Sequence, residues 1–180
     1  MKQRITFGGR VRGGLALGAA LLFAASAGAH DYEAGGVSVA HPWARATPGG
    51  ATVGAAYMEI KTRDGIADIL VSAASPAAGR VEIHTHTLED GVMKMRRIEK
   101  LAIGAGASVV LRPSGDHIML FDLKQPLKEN DLLPITLVFE KAGEIKVEAT
   151  VEPVGAKGPH GMDHQPGHAV GGGSEGHDGH

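Results

Sequence analysis

Three short stretches pair histidine and methionine at two-residue spacing. "HTH" holds His84 and His86, "MKM" holds Met93 and Met95, and "HIM" holds His117 and Met119. Side chains alternate along a β-strand, so each pair shares a face wherever its segment is a strand. Imidazole binds copper, nickel and zinc, while a methionine thioether is soft and selects Cu(I). For any one of these residues the plainer reading is a gap-filling core methionine or a satisfied polar histidine. Three pairs drawn only from His and Met are a weightier signal. Two histidines and two methionines would hold Cu(I) without a thiolate, and such neutral ligands leave the ion's charge uncancelled.

The segments around the pairs must position them. "RVEIHTHTL" and "VMKMRRI" flank "EDG", a hairpin signal. If Asp90-Gly91 is a two-residue turn, His86 lies opposite Met95. If "LEDG" is the loop, His84 lies opposite Met95 and His86 opposite Met93. Either even loop puts all four side chains on one face, whereas a three-residue loop with a bulge changes that relation.

The same β pattern runs from about Gly36 to Pro153. "VSVAHPW", "TVGAAYMEIKT", "ASVVLRP" and "HIMLFDL" read as strands, and "PITLVFE" and "IKVEATV" flank the turn "KAGE". "SPAAG" is a loop or single turn, and no long helical period occurs. Many short strands with Gly and Pro breaks predict a sandwich or barrel. Trp43, the only tryptophan, reads as a core anchor and Arg45 as structural. "GAGAS" is no dinucleotide loop, since no helix follows it. No phosphate loop, nucleophile elbow or Cys/His pair occurs.

Both ends differ from this middle. Lys2, Arg4, Arg10 and Arg12 precede the apolar "LALGAALLFAA" and the small-residue "AGA". Residues 1–29 read as a secretory signal peptide cleaved before His30, which implies a periplasmic protein without membrane insertion. A mature N-terminal His30 could chelate Cu(II) through its amine and imidazole. The leader holds four of the 18 Lys and Arg and none of the 20 Asp and Glu, leaving 14 against 20, net −6. That balance argues against nucleic acid or an anionic membrane as the main partner. The chain has no cysteine, so it offers no disulfide, thiol nucleophile, lipid attachment point or blue-copper thiolate. Residues 30–153 then form one domain, and 154–180 a Gly-, His- and Asp-rich tail expected to be disordered without a ligand. His160, His164, His168, His177 and His180, beside Met162, suit a borderline metal such as Cu(II), Ni(II) or Zn(II). Their irregular spacing is unlike an expression tag.

The spacing His84-x10-Met95-x21-His117-x-Met119 resembles that of the periplasmic PCuAC copper chaperone family. "AHPWARATP", "DGVMKMR" and "HIMLFDLKQPLKEND" resemble phrases of that family, and the likeness covers about His41 to Val151. The resemblance implies an all-β, cupredoxin-like Greek-key sandwich. It implies Cu(I) ligation by His84, Met95, His117 and Met119, with His86 and Met93 as auxiliary candidates outside the main set. It further implies no catalysis, but copper delivery by ligand exchange to the copper centre of a respiratory oxidase subunit. A thiol-disulfide assembly protein could then take part. The tail resembles a second site preferring Cu(II). The competing readings are periplasmic copper storage or resistance and a copper-dependent redox enzyme.

Overall fold

The computed structural model describes residues 32–159. The expected leader, His30 and the candidate tail ligands from His160 onward lie outside the described residues. The strands are β1 (Tyr32–Ala34), β2 (Val37–Arg45), β3 (Val53–Thr62), β4 (Asp68–Ala74), β5 (Ala78–Glu89), β6 (Val92–Ile98), β7 (Leu101–Ile103), β8 (Ser108–Leu111), β9 (His117–Leu123), β10 (Leu132–Phe139) and β11 (Gly143–Glu152). Their hydrogen-bonded order is β6-β5-β9-β3-β2-β11-β10-β4-β7, with β1 on β2 and β8 on β3. The path folds over one apolar core, giving the expected all-β sandwich. Ile83, Ile118, Leu120, Met58 and Ile60 from its first half meet Leu70, Ile135, Leu137, Ile145 and Val147 from its second.

Alternation explains most of these strands. In β11, Ile145, Val147, Ala149 and Val151 are buried and the intervening side chains are more exposed. β4 and β7 escaped the sequence reading. β4 is anchored at its start by buried Asp68, whose carboxylate accepts the amides of Ile69, Lys141 and Ala142 at 2.7, 3.0 and 2.8 Å. A buried carboxylate opening a strand has no simple hydropathy signature.

Two local features position the face of interest. Asp90 and Gly91 have φ of 53° and 77° and join Glu89 to Val92. Positive φ at both central residues is the two-residue type I′ geometry that matches strand twist. In β2 the pairing with β3 slips between Ala40 and Trp43, around His41 at φ 49° and Pro42. Proline has no amide hydrogen to give the ladder, so a bulge forms where it sits. Before the bulge Val37 and Val39 face the core; after it Ala44 does, and Trp43 turns to the opposite face. Here β2 also exchanges β1 for β11 as its neighbour, pairing with β11 in parallel.

Candidate metal centre

The hairpin turn decides the register left open by the sequence. His86 pairs with Met95, Leu88 with Met93 and His84 with Arg97. On the other side of β5, His84 pairs with His117 and Glu82 with Met119. His84, Met95, His117 and Met119 therefore share one face, opposite the side that carries Ile83 and Ile118 into the core. His84 is central. Met95 stands opposite the position two residues after it, and Met119 opposite the position two residues before it. Such diagonal neighbours are about 7–8 Å apart, within reach of a long flexible side chain.

The His84 and His117 ring centres are 6.1 Å apart. With metal–nitrogen bonds of about 2 Å, two imidazoles sharing one ion have ring centres no more than roughly 6 Å apart, so the pair needs little adjustment. His117 is only 3% exposed, and its Nδ1 donates to the Gly115 carbonyl at 2.8 Å. The carbonyl can only accept, so the lone pair of the neutral ring falls on Nε2. Burial pushes His117 below the usual imidazole range; the Gly115 bond opposes this without cancelling it. A neutral imidazole is the form a metal binds. His84 Nε2 lies 2.8 Å from Glu82 Oε2, and His84 Nδ1 is buried with no hydrogen-bond partner. Its bond from His84, then Arg80 and Arg97, hold the Glu82 carboxyl below its ordinary range.

The auxiliary candidates separate. The His86 ring stacks on His117 at 5.0 Å, with Nδ1 3.3 Å from the Gly115 carbonyl. Met93 lies one pair further out, opposite exposed Leu88 and away from His84. Met95 is 48% exposed on the edge strand β6. Among the described residues, no three His, Asp, Glu or Cys side chains gather as a metal-holding group. Met95 and Met119 bring thioether sulfur to the same face as the two histidines.

Sequence reading missed the surroundings. His84 and His117 continue into Tyr57, 6.4 Å from His117, and Trp43, 4.4 Å from Tyr57. Phe121 lies 5.8 Å from His84, and the Arg80 guanidinium lies over the Phe121 ring at 4.1 Å. Glu82 sits two residues before His84 on the same strand, and that spacing was its available signal. Arg45 Nε donates to Ala156 O at 2.8 Å, and its guanidinium lies over the Tyr57 ring at 5.7 Å. The chain continues past Pro153 to Pro159, where Lys157, Gly158 and Pro159 line a pocket of about 140 Å³ with His41, Trp43 and Arg112.

A family model described as "Putative lipoprotein LpqE-like" matches residues 37–151. The chain is 32% identical over 136 residues to "Putative lipoprotein Lxx21020" of Leifsonia xyli subsp. xyli (strain CTCB07), covering 75% of this chain and 81% of that protein. It resembles the apo PmoF2 PCuAC domain with a TM-score of 0.61 and 29% identity, over 72% of this chain and 99% of that domain. The copper-bound PCuAC domain from PmoF2 matches with a TM-score of 0.60 and 29% identity, over 69% and 98%. The solution structure of CuI-DR1885 from Deinococcus radiodurans matches with a TM-score of 0.53 and 32% identity, over 72% and 85%. PCuAC domains thus bind copper, and the fold here is theirs. The matched span runs from the first residue of β2 into the end of β11, and the chain belongs to the LpqE-like family, with a domain of the PCuAC type.

Proposed function

We propose that this protein is a periplasmic copper chaperone that holds Cu(I) through His84, Met95, His117 and Met119. The observation that carries this reading is the His84–His117 pair, with a bare, buried Nδ1 on His84 and a methionine on each flank. Two imidazoles and two thioethers are a soft, neutral set suited to Cu(I). The half-exposed Met95 leaves the site open to an acceptor's ligands, so transfer proceeds by ligand exchange rather than by a catalysed covalent step. The acceptor is the copper centre of a respiratory oxidase subunit, with a thiol-disulfide protein keeping that acceptor reduced. His160, Met162, His164, His168, His177 and His180 collect Cu(II), and a free His30 amine adds a further Cu(II) ligand. The family description fits an exported protein; these 180 residues contain no cysteine to carry a lipid.

The test is an anaerobic Cu(I) competition titration of the full chain beside the double variant His117→Ala, Met119→Ala. Loss of one tight Cu(I) equivalent in the variant is expected. Equal Cu(I) binding by both chains defeats the four-ligand site and brings forward storage by the tail. Turnover by the copper-loaded chain would favour the redox-enzyme reading.

A further inference from the structure

The His84 ring is held at one nitrogen and bare at the other. Its Nε2 faces Glu82 Oε2 at 2.8 Å. An ionised carboxylate only accepts, so Nε2 carries the proton and the lone pair of the neutral ring lies on Nδ1. That Nδ1 is buried and has no partner. A buried polar atom without a partner is unfavourable and calls for an explanation, such as an absent ion. His117 is arranged the other way, with Nδ1 donating to Gly115 O and Nε2 left as the ligand atom.

Glu82 is itself fixed. The Arg80 guanidinium bonds Oε1, and Arg97 Nη1 is 3.6 Å from the same oxygen, so both cations act on Oε1 and Oε2 is left to His84. The two-residue spacing along β5 puts Glu82 and His84 on one face, and Glu82 sits directly across from Met119.

We propose that Glu82 is a positioning residue for the copper site. It locks His84 in the Nε2–H form, so that His84 binds Cu(I) through Nδ1 while His117 binds through Nε2. This rests on the two-His, two-Met reading of the site. A carboxylate behind a metal-binding histidine fixes the ring's tautomer and orientation and raises its basicity. Here it also means that the metal-free ring already presents a bare ligand atom, and no proton has to move within the ring as copper arrives or leaves.

The test uses the full chain with isotope-labelled histidine. Long-range proton–nitrogen correlation on the copper-free protein, above neutral pH, reads which nitrogen of each ring is protonated. His84 is expected to be protonated at Nε2 and His117 at Nδ1. Glu82→Leu is expected to return His84 to mixed tautomers and to weaken Cu(I) binding about 10–100-fold. Glu82→Gln, whose amide oxygen still accepts, is expected to keep the tautomer and most of the affinity. A wild-type His84 protonated at Nδ1 overturns the proposal, as does unchanged Cu(I) affinity in Glu82→Leu or damage by Glu82→Gln equal to that by Glu82→Leu. The wild-type tautomer and Glu82→Gln keep the test decisive should Glu82→Leu fail to fold. Weak Cu(I) binding by the wild-type chain with the expected tautomers defeats the four-ligand reading, and the copper role of Glu82 with it.

Discussion

The Trp43 indole lies 4.4 Å from the Tyr57 ring, and Tyr57 faces His117 at 6.4 Å. The only tryptophan of the chain is therefore two ring contacts from His117, a proposed copper ligand. Copper binding is expected to quench the Trp43 emission, with the change complete at one equivalent of Cu(I). In the His117→Ala, Met119→Ala variant the same addition is expected to leave the emission unchanged. Fluorescence titration under anaerobic conditions checks both.

Met58 and Met95 are the same residue in opposite situations. Met58 is 2% exposed in the core, and Met95 is 48% exposed on the edge strand. Met58→Ala is expected to lower stability by about 2–5 kcal/mol through loss of buried surface and the cavity left behind. Met95→Ala is expected to change stability by no more than about 0.5 kcal/mol, as an exposed substitution does, while reducing Cu(I) affinity at least tenfold. Urea denaturation and Cu(I) competition on the two variants separate core from ligand.

Gly91 holds the turn that sets Met95 opposite His86, at φ 77° with open space where a Cβ would stand. The Cβ of a valine there meets no neighbour, but it disfavours the left-handed conformation. Gly91→Val is expected to cost about 1–2 kcal/mol. Because the strain falls on the β5–β6 hairpin, Cu(I) affinity should fall as well, while Trp43 emission in the copper-free chain stays that of wild type.

His117 gives a pH dependence of known sign. Burial holds its folded value below the ordinary imidazole range, and the unfolded chain titrates it near 6.5. Between these values the unfolded state binds more protons, so stability rises with pH. The contribution is whole above about 6.5 and is lost as pH falls through the lower folded value. Urea midpoints of the copper-free chain are expected to decline over that window, and less steeply in His117→Gln.

The segment 153–159 covers the end of the aromatic row. Arg45 bonds Ala156 O at 2.8 Å, and Pro159 shares a pocket with Trp43. Ending the chain after Pro159 is expected to leave the melting temperature and the Trp43 emission unchanged. Ending it after Glu152 should lower the melting temperature by a few degrees and shift the emission to the red. A red shift in both chains would contradict the cover assigned to this segment.

Much of the site was legible in the sequence because it depends on local periods. Two-residue spacing put His84 with His86 and His117 with Met119 on shared faces, and "EDG" marked the hairpin that brings in Met95. Composition alone set the His-rich end apart from the β region as an expectation. Absence of cysteine excluded a thiolate site before any fold was known. Tertiary structure decided what depends on partners far along the chain. It paired His84 with His117 rather than with another strand, because β9 inserts between β5 and β3. It chose His86 rather than His84 as the neighbour of Met95, because left-handed Asp90 and Gly91 close a two-residue turn. It turned Trp43 onto the face that carries His84 and His117 through the bulge at His41 and Pro42, a reversal of alternation that a strand pattern cannot reveal. It also assigned an acceptor oxygen to one nitrogen of each of the two rings, His84 Nε2 and His117 Nδ1. That assignment depends on which oxygen, Glu82 Oε2 or the Gly115 carbonyl, lies within hydrogen-bond distance, and only the packed fold specifies such a distance.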